Sequence, residues 1–172
     1  MMQQRCPVGL LILTLLYAML AVGPVWADDG GAGAGGERWS LSLGTFDLPD
    51  NDRSLEAGIE YRFQPFELWT LDFIPAVGFS ATTDESFWVY GGLRHDIALG
   101  DRWVVTPQFG ISLYEDGDGK DLGGVIEFRS GIEIGRHLKR GGRVGLLFYH
   151  LSNARIYDLN PGQESLLFTW SW

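Results

Sequence analysis

Glu164-Ser165-Leu166-Leu167-Phe168-Thr169-Trp170-Ser171-Trp172, at the end of the chain, alternates almost strictly. Leu166, Phe168, Trp170 and Trp172 fall on one face, with Ser165, Leu167, Thr169 and Ser171 on the other. A period of two over this length marks a strand with one apolar and one more polar face. Working back from it, seven further segments alternate in the same way, at 39–46, 54–63, 68–81, 86–98, 103–113, 123–135 and 143–152. Turn-rich stretches separate them, and no segment shows a convincing helical period.

The polar faces of these segments collect Glu56, Glu60, Arg62, Asp72, Arg94, Asp96, Glu127, Arg129 and Glu133. A soluble eight-stranded barrel would turn its apolar faces inward and pack them with mixed aliphatics. Acids and arginines in these numbers instead suit a paired network filling a narrow lumen. The apolar faces repeatedly end in Trp or Phe, as interfacial girdles require, and about ten residues per strand cross an apolar band roughly 25 Å tall. The last strand, closing on an aromatic residue, also resembles the assembly signal of outer-membrane barrels. The expected fold is therefore all-β: an eight-stranded antiparallel transmembrane β-barrel of the bacterial outer membrane. Pro75 and Pro107 fall inside strands and predict bulges or strand ends there. Short connections at 64–67, 99–102 and 136–142 read as periplasmic turns, and those at 47–53, 82–85, 114–122 and 153–163 as outer loops.

The first residues are not fold. Arg5 precedes an apolar run from Val8 to Val22, and Val25-Trp26-Ala27 presents small or modest residues where a signal peptidase reads. Residues 1–27 read as a secretory signal peptide, 28–37 as a flexible Gly/Ala-rich leader, and 38–172 as the barrel. Cys6 leaves with the signal, so the mature chain has no disulfide and no thiolate metal site. Of 13 basic residues Arg5 is also removed, which leaves 12 against 22 acids and a net charge near −10. That charge argues against nucleic acid or an anionic surface as a general partner.

Phe148-Tyr149-His150-Leu151-Ser152-Asn153-Ala154 and Asn160-Pro161-Gly162-Gln163-Glu164 bring a serine, a histidine and a carboxylate onto two neighbouring strands. Parity puts His150 and Ser152 on one face with Val144, Leu146 and Phe148, and Glu164 on the face of Leu166 and Trp170. All three then point outward at the outer end of adjacent strands. Opposed residues have Cβ atoms about 5 Å apart, so His150 could pair with Glu164. Ser152 lies one step, about 6.6 Å, along the strand from His150. Rim residues meeting lipid headgroups are the bland reading, at a cost of only about 0–1 kcal/mol. The chemical reading is acyl transfer. Glu164 fixes the His150 tautomer, His150 takes the Ser152 proton, Ser152 attacks an ester carbonyl, and Asn153 or a nearby backbone N–H stabilises the oxyanion.

His150-x-Ser152-Asn153-Ala154 followed by Asn160-Pro161-Gly162-x-Glu164 resembles the PagL-type lipid A 3-O-deacylases. That family has an eight-stranded outer-membrane barrel that hydrolyses the ester at the 3 position of lipid A and releases a 3-hydroxy fatty acid. The resemblance implies Ser152 as nucleophile, His150 as base, Glu164 as carboxylate and Asn153 as oxyanion-hole candidate. It also implies lipopolysaccharide as substrate, outer-membrane lipids as surroundings and no cofactor. The specific motif spans about the last thirty residues, and the match upstream is one of architecture. Oligomeric state stays open, a homodimer included. The alternative is a non-catalytic small barrel serving as anchor, adhesin or membrane-stabilising protein.

Glu115-Asp116-Gly117-Asp118-Gly119-Lys120-Asp121 lacks the spacing and closing Glu of a calcium loop and reads as a solvated acidic hairpin. His95 and His137 have no partners at metal-ligand spacing and read as surface residues. Arg136, His137, Lys139, Arg140 and Arg143 cluster at a turn and read as a watered patch.

Overall fold

A computed structural model of the chain describes residues 36–49 and 53–172. The signal peptide and nearly all of the leader expected from the sequence lie outside the described residues. Ten strands follow in order: β1 Trp39–Phe46, β2 Ser54–Arg62, β3 Phe66–Leu68, β4 Leu71–Thr82, β5 Phe87–Arg94, β6 Ile97–Leu99, β7 Trp103–Glu115, β8 Ile126–His137, β9 Arg143–Ser152 and β10 Gln163–Ser171. All pairings are antiparallel, in the order β2-β1-β10-β9-β8-β7-β5-β4, and β4 pairs back onto β2. β3 continues β2 along β4, and β6 continues β5 along β7, so the ten strands make a closed barrel of eight staves.

Both interruptions stand opposite the prolines. Phe63 N donates to Pro75 O at 2.9 Å and His95 N to Pro107 O at 3.2 Å. Neither proline can return a bond, because it has no N–H. Across Pro75 the register moves from Arg62↔Ala76 to Phe66↔Phe73, so residues 63–65 face only 74–75, a bulge. Across Pro107 the register is unchanged, from Arg94↔Gln108 to Ile97↔Val105, and the ladder simply loses a rung.

Of the connection expected at 64–67, residues 66–67 belong to strand β3, and the turn falls at 69–70 between the partners Leu68 and Leu71. Trp69 sits in that turn at φ 60, 86% exposed, not on the apolar face of a strand. Two-residue hairpin loops favour Asn or Gly at positive φ, so Trp69-Thr70 carried no turn signal.

Side chains alternate between the lumen and the outside. Trp39, Leu41, Leu43, Phe109, Ile111, Leu146, Phe168 and Trp170 are all exposed, an apolar outer wall. Inside, Glu60, Arg62, Arg94, Glu133, Arg143 and Asp96 balance three positive against three negative charges. Arg94 spans Glu60 at 2.7 Å and Glu133 at 2.5 Å, and Arg143 reaches Asp96 at 2.9 Å. Buried charges are tolerable only when paired in this way. Two expectations change. Asp72 lies exposed beyond the lumen, next to the β3–β4 turn. Arg143 is no watered residue: it is 1% exposed, because its strand parity points it inward to Asp96.

Above this network Arg129 lies between the rings of Tyr90 and Tyr149, at 4.3 and 4.1 Å from their centroids. The end of the barrel with the longer loops is closed by Phe46, Trp88, Tyr114, Leu122, Leu147, Tyr149, Leu151 and Leu167. These rings and the paired charges below them make the lumen a filled core.

Candidate active site on the outer wall

β9 carries Leu147, Tyr149 and Leu151 inward, buried, and Leu146, Phe148, His150 and Ser152 outward. β10 likewise buries Gln163, Ser165 and Leu167 and turns out Glu164, Leu166 and Phe168. The register pairs Glu164 with His150 directly. His150 Nδ1 and Glu164 Oε1 stand 3.0 Å apart, with the two side chains 37% and 35% exposed. An ionised carboxylate only accepts, so the proton of that bond sits on Nδ1, and in the neutral ring that tautomer leaves the lone pair on Nε2.

The inner faces hold this pair in register. Tyr149 Oη donates to Glu56 Oε2 at 2.6 Å, and Ser165 Oγ donates to the same oxygen at 2.8 Å. Tyr149 and Ser165 are themselves cross-strand partners, one step from the His150–Glu164 pair. One buried carboxylate from β2 therefore stitches β9 to β10 directly behind the outward side chains.

The loop after Ser152 is fixed by Asn153, which is fully buried. Its Nδ2 donates to Leu122 O at 2.7 Å and to Leu159 O at 2.8 Å. Its Oδ1 accepts from Arg155 N at 2.9 Å, and its own N–H donates to Asn160 Oδ1 at 3.1 Å. Both amide hydrogens are spent on carbonyls, so the Asn153 side chain acts as the clamp of the 153–162 loop. It also ties that loop to the β7–β8 connection through Leu122. The acidic hairpin in that connection is held in turn by Lys120 Nζ on Asp47, at 2.8 and 2.9 Å. Among the described residues no group of three or more His, Cys, Asp or Glu is placed to hold a metal ion.

Gly162 closes against the histidine. Its φ is +66, and a Cβ there would come within 2.7 Å of His150 Cε1 and 3.3 Å of Nε2. Only glycine gives that backbone both its conformation and its approach to the ring. Sequence reading quoted Gly162 within the motif but gave it no task, and it missed Glu56 as the stitch. The Asn-Pro-Gly run was the available signal for the first, and nothing local pointed to the second, because Glu56 is far away in sequence.

Ser152 is outward and half-buried on the same face as His150. Among the described residues its Oγ makes no hydrogen bond, to His150 or any other group. The structure thus brings together His150 and Glu164, leaves Ser152 one strand step away, and turns the Asn153 amide to a different use. His95 Nδ1 bonds Asp72 O at 2.8 Å and His137 Nδ1 lies 3.1 Å from Glu37 Oε1, both near the opposite end of the barrel.

Residues 54–172 match the family model of lipid A 3-O-deacylase (PagL). Among solved structures the chain is similar to that described as the crystal structure of the outer membrane enzyme PagL. The TM-score is 0.62 at 17% sequence identity, covering 77% of this chain and 97% of that one. No curated protein matches the chain.

Proposed function

The chain belongs to the lipid A 3-O-deacylase (PagL) family and folds as its outer-membrane barrel, and from that premise we propose that Ser152, His150 and Glu164 form its ester-hydrolysing site. The carrying observation is the His150 Nδ1–Glu164 Oε1 bond at 3.0 Å on the outward face of β9 and β10. A hydrogen-bonded His–Glu pair on a largely apolar outer wall has no part in packing the lumen.

In this reading the loop end faces the cell exterior, and the site meets the ester groups of outer-leaflet lipid A. Glu164 holds the Nδ1–H tautomer and balances the charge that His150 acquires. His150 Nε2 removes the Ser152 proton as Ser152 Oγ bonds to the carbonyl carbon of the 3-O-acyl ester. The tetrahedral intermediate collapses with loss of the sugar 3-oxygen, which takes the proton from His150. Water, deprotonated by the same nitrogen, then attacks the acyl-serine and releases a 3-hydroxy fatty acid. Backbone N–H groups beside Ser152 are the oxyanion donors in this scheme, since the Asn153 amide is engaged. The gap between Ser152 and His150 closes on substrate binding, as is common for catalytic hydrogen bonds formed only in the complex.

The test is mass spectrometry of lipid A from cells making the full chain. Loss of one 3-hydroxyacyl group supports the reading, and unchanged lipid A beside correctly folded barrel would return the protein to the non-catalytic alternative.

A further inference from the structure

The outward-facing positions of the strands are apolar almost throughout. Setting aside side chains at a strand end or one residue from it, two polar side chains face outward among the described residues. They are His150 on β9 and Ser130 on β8. Ser130 is exposed between the outward-facing Phe128 and Ile132. It is also the direct cross-strand partner of His150, whose other partner is Glu164. Ser130, His150 and Glu164 therefore form one row across three adjacent strands, with neighbouring Cβ atoms about 5 Å apart. Ser152, opposite Phe128, stands one step nearer the loops.

Among the described residues the Ser130 hydroxyl has no hydrogen-bond partner, and hydrocarbon supplies none. Alanine would fill the same wall without stranding a polar group. The hydroxyl is explained if the lipid in the site brings its own partner.

Resting on the deacylase reading above, we propose that Ser130 is a substrate-contacting residue that selects acyl chains bearing a 3-hydroxyl. For attack, the ester carbonyl carbon must lie at Ser152 Oγ. The chain then descends from the Ser152 row toward the hydrocarbon and passes the Ser130–His150 row, about 6.6 Å deeper. The hydroxyl-bearing carbon is two bonds from the carbonyl carbon, so its oxygen enters the space between the two rows. There Ser130 Oγ donates to it or accepts from it. A chain without that hydroxyl leaves Ser130 unpaired in the site, and an unpaired group is what lets a hydrogen-bonding site discriminate. A nucleophilic role for Ser130 is disfavoured by the ring of His150. Its Cε1 and Nε2 edge lies against Gly162, in the loop beyond Ser152, not toward β8.

The experiment compares two synthetic 3-O-acyl glucosamine lipids of equal chain length, one 3-hydroxyacylated and one unsubstituted, in mixed micelles with the purified full chain. The reading is the ratio of kcat/KM values within one preparation, which does not depend on how much of a variant folds. Wild type should favour the 3-hydroxyacyl ester about tenfold, the worth of one hydrogen bond. Ser130→Ala should bring the ratio close to one, and Ser130→Thr, which keeps a hydroxyl, should restore part of it. A wild-type ratio of one, or a Ser130→Ala ratio equal to wild type, overturns the proposal. So does turnover that survives Ser152→Ala and disappears only when Ser130 is also changed, which would make Ser130 the nucleophile. If wild type cleaves neither ester, the deacylase reading itself falls, and the Ser130 contact with it.

Discussion

The two faces of the β9–β10 pair differ sharply in burial and bonding. Behind the ladder, Tyr149, Ser165, Gln163 and Leu151 are sealed from solvent, and a single Glu56 oxygen accepts from two of them. In front, His150 and Glu164 are each about one-third exposed and share one hydrogen bond. The inner face is over-determined and the outer face is sparsely bonded. Because the side-chain period of a strand is two, locking the inner residues also fixes where the outer ones point, without adding bonds that would compete with substrate. The packed lumen thus orients His150 and Glu164, as the proposed site requires of its supporting residues.

Breaking the outer face should have the largest effect. Ser152→Ala should lower fatty-acid release by about 10⁴-fold or more, as loss of a nucleophile does. The heat-modifiable migration of the folded barrel in electrophoresis should be unchanged. A folded Ser152→Ala protein with wild-type release would sink the triad assignment. Next comes Glu164→Gln, which keeps the shape and removes the carboxylate that fixes the histidine tautomer. A fall in kcat of about a thousandfold is expected, and a fall under threefold would show that the 3.0 Å bond has no catalytic part.

Gly162→Ala attacks the boundary between the faces. The new methyl would stand 2.7 Å from His150 Cε1, so the ring must move off Glu164. A displacement of this kind costs about a hundredfold in rate, measurable with any ester the wild type cleaves, and the strained backbone at positive φ should also lower the denaturant midpoint. The smallest effect on turnover belongs to the inner face. Glu56→Ala leaves the Tyr149 and Ser165 hydroxyls without their acceptor. Unfolding stability should drop by about 2–4 kcal/mol for the two stranded groups, with about a tenfold loss of turnover. Equal stability in a denaturant titration would mean that the stitch behind the site is dispensable.

Alternation alone carried much of this. Strand β9 is bounded as its pattern predicted, and the outward parity of His150, Ser152 and Glu164 follows from a period of two. Pro75 and Pro107 marked the places where β2 and β5 break, because a missing N–H is a local property. Trp69-Thr70 gave no hint of its hairpin, since the strand pattern runs on through a two-residue turn. Asn153 looked like an oxyanion donor because its type and position fit one. Its actual partners, Leu122 and Leu159, are loop carbonyls that no strand pattern locates.

What the sequence determined by itself is the set of properties that repeat along one strand: the barrel, its two faces, and the side of the wall on which His150, Ser152 and Glu164 stand. The tertiary structure decided which strands become neighbours at which register. That places Ser130 and Glu164 on either side of His150, and Glu56 behind Tyr149 and Ser165. The physical reason is range. A side chain's face is set by its own backbone, whereas cross-strand partners are chosen by closure of the whole barrel, in which the loops, bulges and buried charges of every other stave take part.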